Sequence, residues 1–138
     1  MSERQEFNRK IIEEFRANGG KVGGQFASAP LLLLTTTGAK TGQSRTTPLA
    51  YSKDADRIVV IASMAGAPNN PDWYHNLKVH PTATVELGGE RFSVTARITA
   101  DAERDRLFNR QAEQMPVFAD YQKKTTRRIP VFVLERVR

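Results

Sequence analysis

The stretch LLLLTTTGAKTGQSRTTPLA, residues 31–50, joins a buried strand to a basic turn and a returning strand. Its leucines and threonines form a run that is too short to span a membrane and is typical of a buried strand. Gly38 and Gly42 can adopt positive φ angles, which turn the backbone amides between them toward an anion. Lys40 and Arg45 add positive charge beside those amides. The segment predicts a hairpin that binds a phosphate group, with a plain solvated turn as the alternative.

The composition indicates one soluble domain inside the cell. The chain has 138 residues and no cysteine, and no apolar run approaches the length of a membrane-spanning helix. The charged N-terminus is not followed by the apolar segment of a secretory signal. His75 and His80 are the only histidines, and no acidic cluster accompanies them, so no metal site is predicted.

Positive charge is concentrated around the basic turn. The net charge is +6, and no Asp or Glu occurs between residues 15 and 53. The cations of that segment are Arg16, Lys21, Lys40, Arg45 and Lys53. Because the chain has neither a basic recognition helix nor an array of stacking aromatics, this pattern favours a discrete anionic ligand over nucleic acid. The turn is not a Walker A motif, because that motif requires glycine where Ala39 and Leu34 stand.

The N-terminal segment predicts an amphipathic helix over residues 2–18. Phe7, Ile11 and Phe15 recur at four-residue steps, and the opposite face carries Arg4, Arg9 and Lys10. The helix is expected to pack on the domain, or alternatively to touch an anionic membrane. Glycines at 19, 20, 23 and 24 then form a connector, so residues 1–24 are assigned to the helix and connector and residues 25–138 to the main domain.

The rest of the chain predicts a small, mostly antiparallel β-barrel with peripheral helices. Residues 58–61 and 129–137 are apolar on both faces and are expected to be interior strands. Gly88 and Gly89 indicate a hairpin, whose second strand is expected to turn alternate residues up to Ile98 toward the core. Asn70 and Pro71 are expected to cap and start a helix, and a second helix is expected over residues 99–114. Residues 115–121 suggest a pocket wall or a core wedge. The fold class is therefore α+β, mainly β, with about six strands and three or four helices.

Two sequence blocks resemble the deazaflavin-dependent nitroreductase family and its F420H2-dependent quinone reductases. They are LLLLTTTGAKTGQSRTTP at 31–48 and IASMAGAPNNPDWYHNLKVHP at 61–81. The resemblance implies a split β-barrel and the cofactor coenzyme F420, an 8-hydroxy-5-deazaflavin with a phosphate and an oligoglutamate tail. Such an anionic cofactor would account for the acid-free segment.

The resemblance also implies site residues. The cofactor-binding positions are Lys40, Thr41, Gly42, Arg45, Thr47, Pro48, Ile61, Ala62, Ser63, Met64, Trp73 and Asn76. Substrate-side positions are Ala50, Met115, Phe118 and Tyr121. This chain departs from the family pattern in having Met64 for a lysine, Ala50 for a tyrosine, and Met115 and Phe118 for two more tyrosines. A plain role as a core anchor is the alternative for Trp73.

The implied reaction is hydride transfer from reduced F420 to a small or lipid-soluble acceptor, and the apolar substrate side favours a quinone. No catalytic acid is evident, and only Ser63 and Tyr121 are named as hydrogen-bond donors. An FMN-dependent oxidoreductase and a non-catalytic cofactor or lipid carrier are the alternatives. The protein is expected to be cytoplasmic and peripheral at the inner face of the membrane. The sequence does not predict the oligomeric state.

Overall fold

One antiparallel sheet of seven strands carries the fold in the computed structural model, which describes residues 3–23 and 30–137. The predicted boundary between the N-terminal segment and the main domain lies outside these residues. The elements are α1 (Glu3–Ala17), β1 (Leu31–Thr37), β2 (Ser44–Ala50), β3 (Ser52–Asp54), β4 (Arg57–Ile61), α2 (Asp72–Val79), β5 (Thr82–Leu87), β6 (Glu90–Ile98), α3 (Asp101–Gln114), α4 (Val117–Lys123) and β7 (Val131–Arg136). No helix in this part of the chain has the length and apolar character needed to cross a membrane.

The strand order shows that the sheet curls into a barrel. The order is β2-β1-β5-β6-β7-β4-β3, so β2 and β3 are its two edges. Only Tyr51 separates these edges in the chain, and the sheet must therefore bring its first and last strands together. This confirms the split β-barrel. The prediction of about six strands missed the three-residue β3.

Alternation along the strands divides the apolar side chains between two cores. The barrel interior contains Leu32, Leu34, Val60, Val85, Val94 and Leu134, and Trp73 and Leu77 of α2 pack against them. The outer face carries a second cluster beneath α3 and α4. It consists of Val59, Ile61, Leu107, Phe108, Phe118, Ile129, Val131 and Val133. Strands β4 and β7 contribute to both clusters, which confirms that they are interior strands.

Three local predictions differ from the structure. Helix α2 begins at Asp72 with Pro71 as its N-cap, and Asn70 makes no capping bond because its side chain accepts a hydrogen bond from Arg127. Helix α3 begins at Asp101 and not at Thr99, whose hydroxyl donates to the carbonyl of Val131. Ile98 was expected in the core and is 44% exposed.

Helix α1 packs against the barrel through two of its three predicted apolar residues. Ile11 and Phe15 are buried, whereas Phe7 is 47% exposed. The end of the helix is held by Arg16, whose guanidinium donates two hydrogen bonds of 3.0 and 2.8 Å to the Glu86 carboxylate. These bonds hold the pKa of Glu86 below its ordinary value. Membrane contact through all three apolar residues would therefore require α1 to leave the barrel.

Candidate functional site

The turn between β1 and β2 is a tight hairpin closed by its own backbone. The amide of Gly38 donates to the carbonyl of Gln43 at 2.7 Å, and the amide of Gly42 donates to the carbonyl of Gly38 at 3.0 Å. Gly42 has a φ of +73°, as predicted, but Gly38 does not have a positive φ. Glycine is needed at 38 for space, because a Cβ there would lie 2.7 Å from the hydroxyl oxygen of Thr41.

Two cations beside this hairpin have no partner among the residues that the structure describes. Lys40 and Arg45 are exposed, and within the described part of the chain neither forms an ion pair or a hydrogen bond through its side chain. Arg16 differs, because its charge is committed to Glu86. Fewer of the cations in this segment are therefore available to a ligand than the sequence suggested, and those at the hairpin are Lys40 and Arg45.

Asn76 fixes the hairpin to helix α2. Its side-chain oxygen accepts from the amide of Ala39 at 2.9 Å, and its side-chain nitrogen donates to the hydroxyl of Thr36 at 3.0 Å. Asn76 is buried, as is Trp73, which packs on Phe132 in the barrel interior with ring centroids 5.7 Å apart. Asn76 thus supports the hairpin from helix α2, whereas Trp73 packs in the barrel core. The oxygen and the nitrogen of the Asn76 carboxamide are both used in hydrogen bonds within the protein.

The loop after β4 is strained and held by a single arginine. Met64 and Ala65 have φ angles of +46° and +54°, which are unfavourable for residues with a Cβ. The Arg127 guanidinium donates to the carbonyls of Ala62 and Ser63 at 3.2 and 2.8 Å. Burial lowers the pKa of Arg127. Strain of this kind persists only where the surroundings enforce it, and it is concentrated at functional sites.

A cavity of about 320 Å³ opens between α1, α4 and the edge of the sheet. Helix α1 forms one wall, α4 and the preceding Met115 form the other, and β1 and β2 form the floor. Its lining consists of Phe7, Asn8, Ile11, Leu31, Pro48, Ala50, Met115, Val117, Phe118 and Tyr121. The four residues predicted on the substrate side, Ala50, Met115, Phe118 and Tyr121, therefore all meet in one pocket. A volume of this size suits a small, mostly apolar molecule.

The pocket adjoins the strained loop. A Cβ on Gly66 would lie 2.9 Å from the carbonyl oxygen of Tyr121, so this loop and α4 are in close contact. Ile61 belongs to the same outer cluster as Phe118, whereas Ala62 faces the barrel interior. Ser63 is buried and is not part of the pocket lining.

Strand β2 links the hairpin to the pocket. Arg45 is five residues from Ala50, which corresponds to about 17 Å along a strand. The register pairs Thr47 with Leu34 and Pro48 with Leu33, so the side chains of these two β2 residues point to opposite faces of the sheet. Pro48 faces the pocket, while Thr47 lies on the interior side. The predicted cofactor positions on β2 are thus divided between two faces.

Two features of the site were not predicted from the sequence. Arg127 makes contacts in the loop after β4, about 60 residues away, and no sequence pattern near Arg127 indicates these contacts. The contribution of α1 to the pocket was also missed, although a signal was present. Asn8 stands at helical spacing from Ile11 and Phe15, so a polar residue interrupts the apolar stripe of the helix.

Comparison with known proteins finds a matching family and similar proteins. Residues 7–136 match the family model described as F420H(2)-dependent quinone reductase. A Mycobacterium tuberculosis protein named F420H(2)-dependent quinone reductase is 43% identical over 126 residues, which cover 88% of this chain and 85% of the relative.

Two solved structures share the fold over most of the chain. One, titled as an F420-H2 dependent reductase, is 40% identical with a TM-score of 0.71 and covers 77% of this chain and 94% of its own. Another, described as a domain-swapped dimer, is 36% identical with a TM-score of 0.73, and the match covers 96% of each chain.

Proposed function

Since the chain belongs to the F420H(2)-dependent quinone reductase family, we propose that it reduces a quinone in the pocket between α1 and α4, with its cofactor anchored at the β1–β2 hairpin. Membership confirms that the protein is an enzyme and that its cofactor is coenzyme F420. The single observation that carries the location is the convergence of Ala50, Met115, Phe118 and Tyr121 on one cavity.

The hairpin has the features that an anionic cofactor tail requires. Lys40 and Arg45 are exposed and their side chains are uncommitted. The backbone amides of residues 38, 39, 42 and 43 donate within the protein, so the positive side chains would carry most of the anion binding. Thr41 is exposed beside them, and its hydroxyl accepts a hydrogen bond of 3.2 Å from the amide of Gln43. These residues would hold the phosphate and glutamyl groups of F420 by charge-assisted contacts.

From the hairpin, the deazaflavin end of the cofactor would run toward the pocket. Pro48 supplies the floor, and Ile61, Ser63 and Met64 flank the strained loop at the side. When bound, F420 supplies the hydride and the redox chemistry. The protein binds and orients the reactants and keeps water from the apolar cavity.

The acceptor side of the pocket suits a flat apolar ring better than a strongly polar one. Met115 and Phe118 pack on the outer core, and Tyr121 lies against Phe118 in a T-shaped contact of 5.6 Å. The Tyr121 side chain lines the cavity and Ser63 does not, so Tyr121 is the better of the two predicted donors. A quinone would be held by stacking and by a hydrogen bond from this hydroxyl.

A binding comparison tests the cofactor site against the FMN alternative. Purified protein is titrated with F420 and with FMN at the same salt concentration, followed by Lys40→Ala and Arg45→Ala variants. We expect F420 to bind more tightly and both variants to weaken it. Equal or tighter binding of FMN would overturn the assignment. Failure of both variants to change F420 affinity would place the anion elsewhere.

We propose membrane contact through the rim of the pocket and not through the whole apolar face of α1. Phe7 and Val117 are both exposed and both line the cavity, and Lys10 and Lys123 are exposed on the same two helices. Such a rim would present the pocket to a lipid-soluble quinone at the cytoplasmic face of the membrane. Sedimentation with anionic vesicles should fall for a variant carrying Phe7→Ser and Val117→Ser. Unchanged sedimentation of this variant would refute the proposal.

A further inference from the structure

The pocket contains two hydrogen-bonding side chains on different helices. Asn8 belongs to α1 and Tyr121 to α4, and every other side chain that lines the cavity is apolar. In a cavity of this kind, a few polar groups determine how a ligand is oriented. The two polar side chains are therefore candidates for the groups that position the acceptor.

The carboxamide of Asn8 has no partner within the described part of the chain. The neighbouring Arg9, by contrast, has partners, because its guanidinium donates to both Glu6 and Glu13 on the outer face of α1. Asn8 is half-buried, and its side-chain carboxamide is not fully buried. Its donors and acceptor thus remain available to a molecule in the pocket.

The sequence gives an independent reason to assign a role to Asn8. It stands on the apolar stripe of α1, three residues before the buried Ile11 and seven before the buried Phe15. Asparagine is a poor helix former, and an apolar residue would pack better against a cavity lined by Leu31 and Val117. Helix propensity and packing both disfavour asparagine at this position, and a hydrogen bond to a ligand in the cavity would offset that cost.

Helix α1 is held firmly enough to place this side chain. Phe15 is 2% exposed, and Arg16 is bound to Glu86 by two hydrogen bonds. Behind the helix, a Cβ on Gly20 would lie 2.6 Å from the Cα of Gly88, so the end of the α1 segment rests on the β5–β6 turn. These contacts fix the helix on the barrel and leave its first turns over the pocket.

We propose that Asn8 binds the acceptor, donating a hydrogen bond to one carbonyl of a quinone while Tyr121 donates to the other. The inference rests on the proposed function, because it takes the α1–α4 pocket as the acceptor site. It makes the N-terminal helix a determinant of acceptor specificity. The pocket would then select rings that carry a carbonyl group on each of two opposite sides over apolar rings of the same area.

The test compares two ligands of similar shape, menadione and 2-methylnaphthalene, of which only the first has carbonyl groups. Binding to the full-length protein saturated with oxidised F420, which cannot donate a hydride, is measured by calorimetry. Asn8→Leu should weaken menadione binding about three- to tenfold, the equivalent of one neutral hydrogen bond, and leave 2-methylnaphthalene unaffected. Asn8→Asp, which keeps the size and removes the donor, should also weaken menadione binding. Asn109→Leu, on the exposed face of α3, is the matched control and should change neither affinity.

An Ala50→Trp variant, which fills the pocket, separates the inference from the proposed function. If Ala50→Trp abolishes menadione binding and Asn8→Leu leaves it within twofold of the unmodified protein, the role of Asn8 is wrong and the pocket assignment stands. If Ala50→Trp leaves menadione binding intact, the acceptor binds elsewhere and both proposals fail. Equal losses of menadione and 2-methylnaphthalene in Asn8→Leu would show a packing role and would also overturn the inference.

Discussion

Replacing Asn76 by alanine should loosen the β1–β2 hairpin and weaken F420 binding without touching the cofactor. The substitution removes hydrogen bonds of 2.9 and 3.0 Å to Ala39 and Thr36. A neutral hydrogen bond contributes about 1 kcal/mol net, and a buried polar group left without a partner costs about 1–3 kcal/mol. Thr36 is only 2% exposed, so its hydroxyl would lose its partner in a buried position. The expected loss of unfolding free energy is about 2–4 kcal/mol.

Urea unfolding and F420 titration measure the two consequences separately. A hairpin that is ordered for a smaller fraction of the time binds F420 with proportionally lower affinity. An affinity about tenfold lower corresponds to a rise of about 1.4 kcal/mol in the free energy needed to order the hairpin. The paired variant Thr36→Val with Asn76→Leu replaces both partners by apolar groups and should recover part of the stability. An Asn76→Ala protein with unfolding free energy within 0.5 kcal/mol of the unmodified protein, taken as about the effect of a surface substitution, and unchanged F420 affinity would show that Asn76 does not hold the hairpin.

Three further predictions concern charge, packing and pH. Lys40→Ala and Arg45→Ala should each weaken F420 binding by about 1.5–3 kcal/mol, with the smaller value at high salt because both side chains are exposed, while the urea midpoint stays constant. Phe118 is 6% exposed and part of the outer core, so Phe118→Ala would cost about 3–5 kcal/mol of stability and Phe118→Leu is the better probe. Phe118→Leu should reduce quinone turnover more than it reduces cofactor affinity. Glu86→Gln should lower the unfolding free energy near neutral pH, because the pKa of Glu86 is depressed by Arg16 and its contribution is present above the unfolded-state pKa. This difference should shrink as pH falls below about 4, and a difference that grew with acid would contradict the assignment.

The strand pattern and the motif blocks were readable because they depend on local sequence. The run of leucines and threonines ending at Gly38 gives β1 and its turn, and the alternation around Gly88 gives the β5–β6 hairpin. The placement of β2 and β3 at the two edges of one sheet was harder to predict, since only a single residue, Tyr51, separates the two strands in the chain. Short strands of this kind are set by the closure of the barrel and leave little trace in local composition.

The candidate site was predicted where a sequence block carries it and missed where distant segments meet. Residues 115–121 were expected to form a pocket wall or a core wedge; several of them line the cavity, and Ala50 joins them across the fold. The acceptors of Arg127 are mainly loop carbonyls, which have no residue-specific signature, so its role emerges only in three dimensions. Likewise, the amphipathic pattern of α1 identified a buried face without identifying what covers it. In the structure this face lies partly over the pocket, and Asn8 is therefore a candidate for contact with a ligand.

Anaerobic turnover measures the proposed reaction itself, the transfer of a hydride from reduced F420 to a quinone. Purified protein is mixed with reduced F420 and menadione, and cofactor oxidation is followed by its visible absorbance, with reduced FMN as the competing donor. The family assignment and the apolar pocket predict oxidation of reduced F420 that depends on both enzyme and quinone and that Ala50→Trp abolishes. Quinone-dependent oxidation of reduced FMN but not of reduced F420, or turnover unaffected by filling the pocket, would contradict the proposed function.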